Sequence, residues 1–278
     1  MNRSIIAVVS VLALLSSVHE ANAGAGAAAD RVRLSAQPGV YADTPQDVAA
    51  EISFGRNVAA RILARYPLHS DQSLNHYVNL VGNTLALASG RPELTFRFAV
   101  LDTDAINAYA APGGYIFVTR GALNAMSNEA ELAAVLAHEI AHVAEKHIVK
   151  AMNISGESGG AGLGSLFSSI SDPLRSGFTT AVDKGLSILF EKGLDQQDEF
   201  EADRFAFELL ALTGYDPRAL ENYLAKLGTR QDMSQTITAT HPGFDLRLAS
   251  LREAAGAMAF EEMGQARLAE RFNAYVHK

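Results

Sequence analysis

Residues 132–147 read LAAVLAHEIAHVAEKH, and within them His138, Glu139 and His142 form a His-Glu-x-x-His pattern. From Asn128 to Lys150 the chain has no Gly or Pro and is rich in Ala, Leu, Glu and Lys, so this segment is predicted to be one long helix. Ser127 stands where an N-cap belongs, ahead of the acidic Glu129 and Glu131. Four residues advance a helix by one turn plus about 40°, which points the imidazoles of His138 and His142 the same way and lets them grip one ion. Glu139 is rotated by about 100° and addresses the water such an ion would carry, not the ion itself. Leu132 to Ile140 is otherwise almost wholly apolar, which implies burial. Two imidazoles and a carboxylate buried without partners would be costly.

Zinc in catalytic sites takes three protein ligands and keeps one position open, so a third donor must come from elsewhere. The segment Gln196–Leu212, QQDEFEADRFAFELLAL, supplies it on a second predicted helix. Glu199 and Glu201 compete. Glu199 shares a helix face with Asp203, four residues on, whereas Glu201 is turned by roughly 200°. Glu199 is therefore the preferred ligand and Glu201 the reserve. Asp203 is placed to accept the second N–H of a metal-bound imidazole.

With the earlier stretch Asn107–Gly121 (NAYAAPGGYIFVTRG) and the later Thr240-His241-Pro242 with Arg247, these motifs resemble metallopeptidase family 48. This is the gluzincin family of HtpX, the CAAX prenyl proteases and the soluble BepA-like proteases. The resemblance runs from Ala49 to Leu251. It implies an α+β fold, a mainly helical zincin domain with a small β-sheet beside the His-Glu-x-x-His helix. It also implies one zinc per chain held by His138, His142 and Glu199, with Glu139 as catalytic glutamate and Asp203 as the aspartate of the glutamate helix. His241 matches the C-terminal motif, and its loop, stiffened by Pro242, could bring the imidazole to the metal or the oxyanion. The alternatives are a transition-state donor, a displaceable fourth ligand or a purely structural His. The implied activity is zinc-dependent hydrolysis of peptide bonds in misfolded or unassembled envelope proteins. The alternative is a zinc-stabilised, chaperone-like protein that binds such clients with little or no proteolysis.

With 278 residues, 48% of them hydrophobic, the chain is large enough for one substantial domain and its extensions. Its net charge of −8 and the lack of any Lys/Arg cluster exclude nucleic acid as an expected partner. Arg3, an apolar run from Ile5 to Leu15 and the small-x-small Ala21-Asn22-Ala23 read as a signal peptide over residues 1–23. That run is short for a bilayer span, which needs about 20 residues. The expected location is the periplasm with no retained membrane span, the alternative being secretion or anchoring by an uncleaved signal. Absence of cysteine removes disulfides, a thiol nucleophile and a lipid-acceptor Cys. Residues 24–44 read as a flexible arm and 45–278 as a single metallopeptidase domain. No internal repeat is visible, including the tetratricopeptide array of BepA-type proteins.

Helices are predicted over Pro45–Tyr66 and Asp71–Ala88, and after Asp216-Pro217 as far as Leu227, with two more beyond His241. Leu94–Leu101 alternates as a half-buried strand; Ile106–Ala110 and Tyr115–Thr119 form two more, joined through Pro112-Gly113-Gly114. An edge strand there could pair with substrate backbone, which would put Asn107 and Tyr109 near substrate; the alternative is ordinary strand packing. Ser155–Ser169, rich in Gly and Ser, reads as a flexible loop or a cleft lid. His147, five residues past His142, points away from the metal face on a continuous helix and serves as support or core. Arg247 is expected to brace nearby carboxylates.

Overall fold

Thr44 and Asp47 close a reciprocal capping box, each side chain accepting from the other's backbone N–H, and start α1 (Pro45–Arg65). The computed structural model describes residues 44–152, 176–229, 240–241, 244–256 and 265–277. The predicted signal peptide, the arm up to residue 43 and the loop Ser155–Ser169 lie outside the described residues. Asp71 caps α2 (Gln72–Ala86), whose Leu74, Tyr77, Val78, Val81 and Leu85 recur at helical spacing and are all buried. The strands β1 (Arg97–Leu101), β2 (Ala108–Ala111) and β3 (Tyr115–Thr119) form one sheet in the order β1-β3-β2. β1 runs parallel to β3, and β2 antiparallel to it.

Strand alternation sorts the sheet's side chains into two apolar layers. Phe98, Val100, Ile116 and Val118 pack with Leu132, Leu136 and Ile140 of the His-Glu-x-x-His helix. Leu101, Tyr109 and Phe117 pack with Phe54, Val58 and Ile62 of α1. The sheet is thus covered on both sides, more than the half-buried reading of its first strand implied. The turn between β2 and β3 needs its glycines: Gly113 has φ +74°, and a Cβ there would stand 2.7 Å from the Ile52 backbone. Across it, a methyl on Gly55 would meet the Pro112 carbonyl oxygen at 1.6 Å, so α1 seats directly on the turn.

After α3 (Arg120–Ala125) comes the central helix, α4 (Glu129–Ala144), in which every residue from Glu129 to Val143 is buried. Two details differ from the sequence reading. The cap is Asn128, whose side chain accepts from Glu131 N–H, while Ser127 N–H is bound by the Glu131 carboxylate. The helix also stops six residues short of Lys150, because Lys146 takes the left-handed conformation at φ 57° and α5 (His147–Ala151) restarts in a new direction. Arg91 anchors the broken end: its guanidinium donates to the Val143 carbonyl at 3.1 Å and to buried Glu51 at 2.8 Å. Glu51 in turn accepts from Gly113 N–H at 3.1 Å, which ties α1, the β2–β3 turn and the end of α4 together.

The rest is helical: α6 (Ser176–Ser187) with a π turn over Ile188–Lys192, α7 (Gln196–Thr213), α8 (Ala219–Gly228), α9 (Phe244–Gly256) and α10 (Gln265–Val276). α7 lies along α4 more extensively than any other pair of elements meets. Among the described residues no helix is long and apolar enough to cross a membrane.

α10 packs through fully buried Phe272 and a Tyr275–Tyr77 stack, and one carboxylate ties it to α4. Buried Glu129 accepts from Tyr77 Oη at 2.8 Å, from Tyr215 Oη at 2.7 Å and from both arms of the Arg271 guanidinium. Glu129→Ala would strand two tyrosine hydroxyls, and it is expected to cost about 2–4 kcal/mol in a urea titration. A loss below about 0.5 kcal/mol, the range of an ordinary surface change, would contradict that role.

Candidate metal centre

His138 and His142 project from one face of α4, their Nε2 atoms 3.0 Å apart. From α7, Glu199 sets Oε2 3.4 Å from His138 Nε2 and Oε1 3.5 Å from His142 Nε2. Two imidazole nitrogens and a carboxylate oxygen around a tetrahedral zinc, at bond lengths near 2.0–2.1 Å, would stand about 3.3 Å from one another. The donor set and its spacing therefore fit that ion, and all three residues are buried. Glu201, the reserve, faces away from the cluster toward His147, as helix geometry requires.

Asp203 lies one turn beyond Glu199, its Oδ1 3.0 Å from His138 Nδ1. The pair is off the hydrogen-bond line, so the contact is electrostatic and Nδ1 has no aligned acceptor. Arg247 from α9 grips Asp203 with two bonds of 2.7 Å and reaches Glu199 Oε2 with a third of 2.7 Å. The bracing expected of Arg247 thus spans both carboxylates. His241 arrives with its Nδ1 3.1 and 3.2 Å from the two oxygens of Glu199 and its Nε2 4.0 Å from Glu139. His138, His142, Glu199 and His241 each offer one ligand atom within 4.8 Å of the others. Pro242, read as stiffening this loop, lies outside the described residues.

The charges follow from these contacts. Burial and the Arg247 charge oppose protonation of His138, yet Asp203 and Glu199 push its imidazole up to about 9. Burial, with the charge on His138, holds His142 well below the ordinary imidazole range. Burial also raises Glu139, with His241 and His138 acting against it. Glu199 stays well below the usual carboxylate range despite burial, because of His241 and Arg247. Metal binding here would require neutral imidazoles at both His138 and His142, so any proton on them would be released.

Two cavities meet at Glu139 and His241. One is walled by Val135, Leu220, Tyr223 and Leu224; the other by Tyr109, Ile148, Ile188 and Leu194. β2, an edge of the sheet, borders both through Ala108. Asn107 lines the first and also donates to Thr240 Oγ1 at 3.3 Å, which fastens the loop carrying His241. Tyr109 lines the second while stacking on Tyr66 and meeting Phe190 edge-on. Both residues thus border a cavity and pack. The sequence reading missed the Thr240 contact, and it had His147 in a supporting or core role but pointing away from the metal face. With the helix broken at Lys146, His147 turns back and sets its Nδ1 2.8 Å from His142 Nδ1.

Residues 72–255 match peptidase family M48. The beta-barrel assembly-enhancing protease of Yersinia pestis is 32% identical over 235 residues, covering 79% of this chain and 47% of that protein. Its namesake in Escherichia coli (strain K12) is 31% identical over 231 residues, with 79% and 47% covered. The metalloprotease LoiP of the same strain is 27% identical over 186 residues, covering 65% of this chain and 68% of LoiP. The chain thus spans about half the length of the beta-barrel assembly-enhancing proteases that it matches. The matched region takes in both helices of the His/Glu cluster, the sheet beside them and the Arg247 brace, and the chain belongs to peptidase family M48.

Proposed function

We propose that the protein is a zinc metalloendopeptidase that cuts misfolded or unassembled envelope proteins after export to the periplasm. The observation that carries this reading is the convergence of His138, His142 and Glu199 at the spacing of a zinc site, with an unliganded Glu139 at the meeting point of two cavities. When bound, one zinc polarises the scissile carbonyl and brings the pKa of its water to about 7. Glu139 takes the proton of the attacking water and delivers it to the leaving amine; burial, by raising this carboxyl, moves it toward the range where it can do both. Asp203 stands 3.0 Å from His138 Nδ1 as its electrostatic partner, and Arg247 fixes Asp203 and Glu199 together. His241, resting on Glu199 and 4.0 Å from Glu139, would act there as a displaceable fourth ligand or as a donor to the oxyanion.

An unfolded chain is the substrate that this cleft suits. Edge strand β2 can pair with an extended backbone, and the cavity walled by Val135, Leu220 and Leu224 takes an apolar side chain beside the scissile bond. The names of the relatives support envelope clients, and the signal-like N-terminus supports export. The test is zinc content and casein cleavage, with and without a chelator. One zinc per chain and chelator-sensitive cleavage are expected, with His142→Ala and Glu199→Ala losing both metal and activity. Chelator-insensitive cleavage overturns the reading, and a zinc-loaded protein that binds casein without cutting it establishes the chaperone-like alternative.

A further inference from the structure

Beside the metal cluster lies a second group of ligand-type side chains that the proposed reaction does not use: His147 on α5, with Asp198 and Glu201 on α7. His147 is fully buried, its Nε2 3.2 Å from Glu201 Oε2 and 3.8 Å from Asp198 Oδ1. Its other nitrogen, Nδ1, meets His142 Nδ1 at 2.8 Å. Two ring nitrogens at that distance share one hydrogen, and where that hydrogen sits decides what His142 presents to the centre.

As a metal ligand His142 is a neutral imidazole, so it carries a single ring hydrogen. Were that hydrogen on Nε2, it would point at His138 Nε2, 3.0 Å away, and no lone pair would be left for a metal. With the hydrogen on Nδ1, His142 donates to His147 Nδ1, and Nε2 becomes the ligand atom. His147 must then accept on Nδ1 and, if neutral, carry its own hydrogen on Nε2, where Glu201 stands ready to accept it. That assignment satisfies every nitrogen of the chain, and it also explains the acid pair. While His142 is a ligand, His147 Nε2 is a donor, so the outer group is a hydrogen-bond acceptor and not a second cation site.

We propose that His147 and Glu201 are positioning residues that fix the tautomer of His142: Glu201 holds the Nε2 hydrogen of His147, and His147 Nδ1 holds the Nδ1 hydrogen of His142. The inference rests on the zinc-site reading. The two histidines of the motif then have different neighbours at Nδ1, His138 the carboxylate of Asp203 and His142 a further imidazole. The arrangement depends on the break at Lys146. On a continuous helix, five residues would turn His147 about 140° away from His142.

The test is the zinc dissociation constant of the full chain, from competition with a chromophoric chelator, with the thermal midpoint of each metal-free variant measured alongside. His147→Leu is expected to weaken zinc binding about 10- to 100-fold, the usual effect of losing a partner that orients a ligand. His147→Gln, whose carboxamide oxygen can accept from His142 Nδ1, should return affinity toward the wild-type value. Glu201→Leu, at a half-exposed position that folding tolerates, should weaken binding in the same direction. Ring-nitrogen NMR of the zinc-loaded wild type should find His147 protonated on Nε2 and bare on Nδ1. The proposal fails if the folded Leu variants bind zinc as tightly as the wild type, if Gln at 147 rescues nothing, or if the spectrum shows the opposite tautomer. A wild type that binds no zinc overturns the metal-centre reading itself, and this inference with it.

Discussion

Glu139→Gln is expected to keep one zinc per chain and to cleave unfolded casein about 10²–10⁴-fold more slowly than the wild type. The substitution is nearly isosteric, so it fits the same buried space. Glu139 stands outside the triangle of His138, His142 and Glu199, and its nearest ring nitrogen is that of His241 at 4.0 Å. Removing its charge therefore takes nothing from the ligand set. It does remove the carboxylate that can accept a proton from water where the two cavities meet, since a carboxamide oxygen is too weak a base. Stability should move the other way: burial disfavours the charged form of Glu139, so the neutral amide should leave the thermal midpoint equal or higher. Metal analysis, initial rates and a melting curve of one preparation check all three. Cleavage at the wild-type rate would remove Glu139 from the mechanism, and loss of zinc would make it a ligand.

The residues that could be read from sequence are those fixed by one helix. His138, His142 and Asp203 follow from four-residue spacing, and the same geometry separates Glu199 from Glu201, which the fold places at His147. His147 was read as support or core, but its turn back toward His142 was not, because that direction is not local. A left-handed Lys146 is set by tertiary contacts at the end of α4, where Arg91 takes the Val143 carbonyl, and no propensity of the residues around it announces the break. Strand alternation found the three strands but not their order; that β1 lies parallel to β3 depends on how the chain crosses over, not on any strand's own pattern. α6 drew no expectation, although Phe178, Val182 and Ile188 reach the α1 side of the sheet, because it follows a Gly/Ser-rich stretch that dominates the local reading. Arg247 was legible as a brace. Its reach across two carboxylates was not.

That reach makes Arg247→Leu the change with the largest expected effect on stability. The guanidinium is 2% exposed and makes three contacts of 2.7 Å, two to Asp203 and one to Glu199. A leucine keeps some of the packing but leaves two carboxylates buried close together, with only the imidazoles of His138 and His241 beside them. Breaking a buried pair from one side costs about 3–5 kcal/mol, because the surviving charge stays desolvated. At about 2–4 °C per kcal/mol for a domain of this size, the zinc-free variant should melt roughly 6–20 °C below the wild type. Zinc supplies the same sign of charge at the same carboxylates, so the gain in midpoint on adding zinc should be larger in the variant than in the wild type. Arg247→Lys should recover only part of the loss, since a point charge cannot bridge Asp203 and Glu199 as a planar fork does. A zinc-free leucine variant within about 1 kcal/mol of the wild type would show that the two carboxylates do not depend on the Arg247 charge.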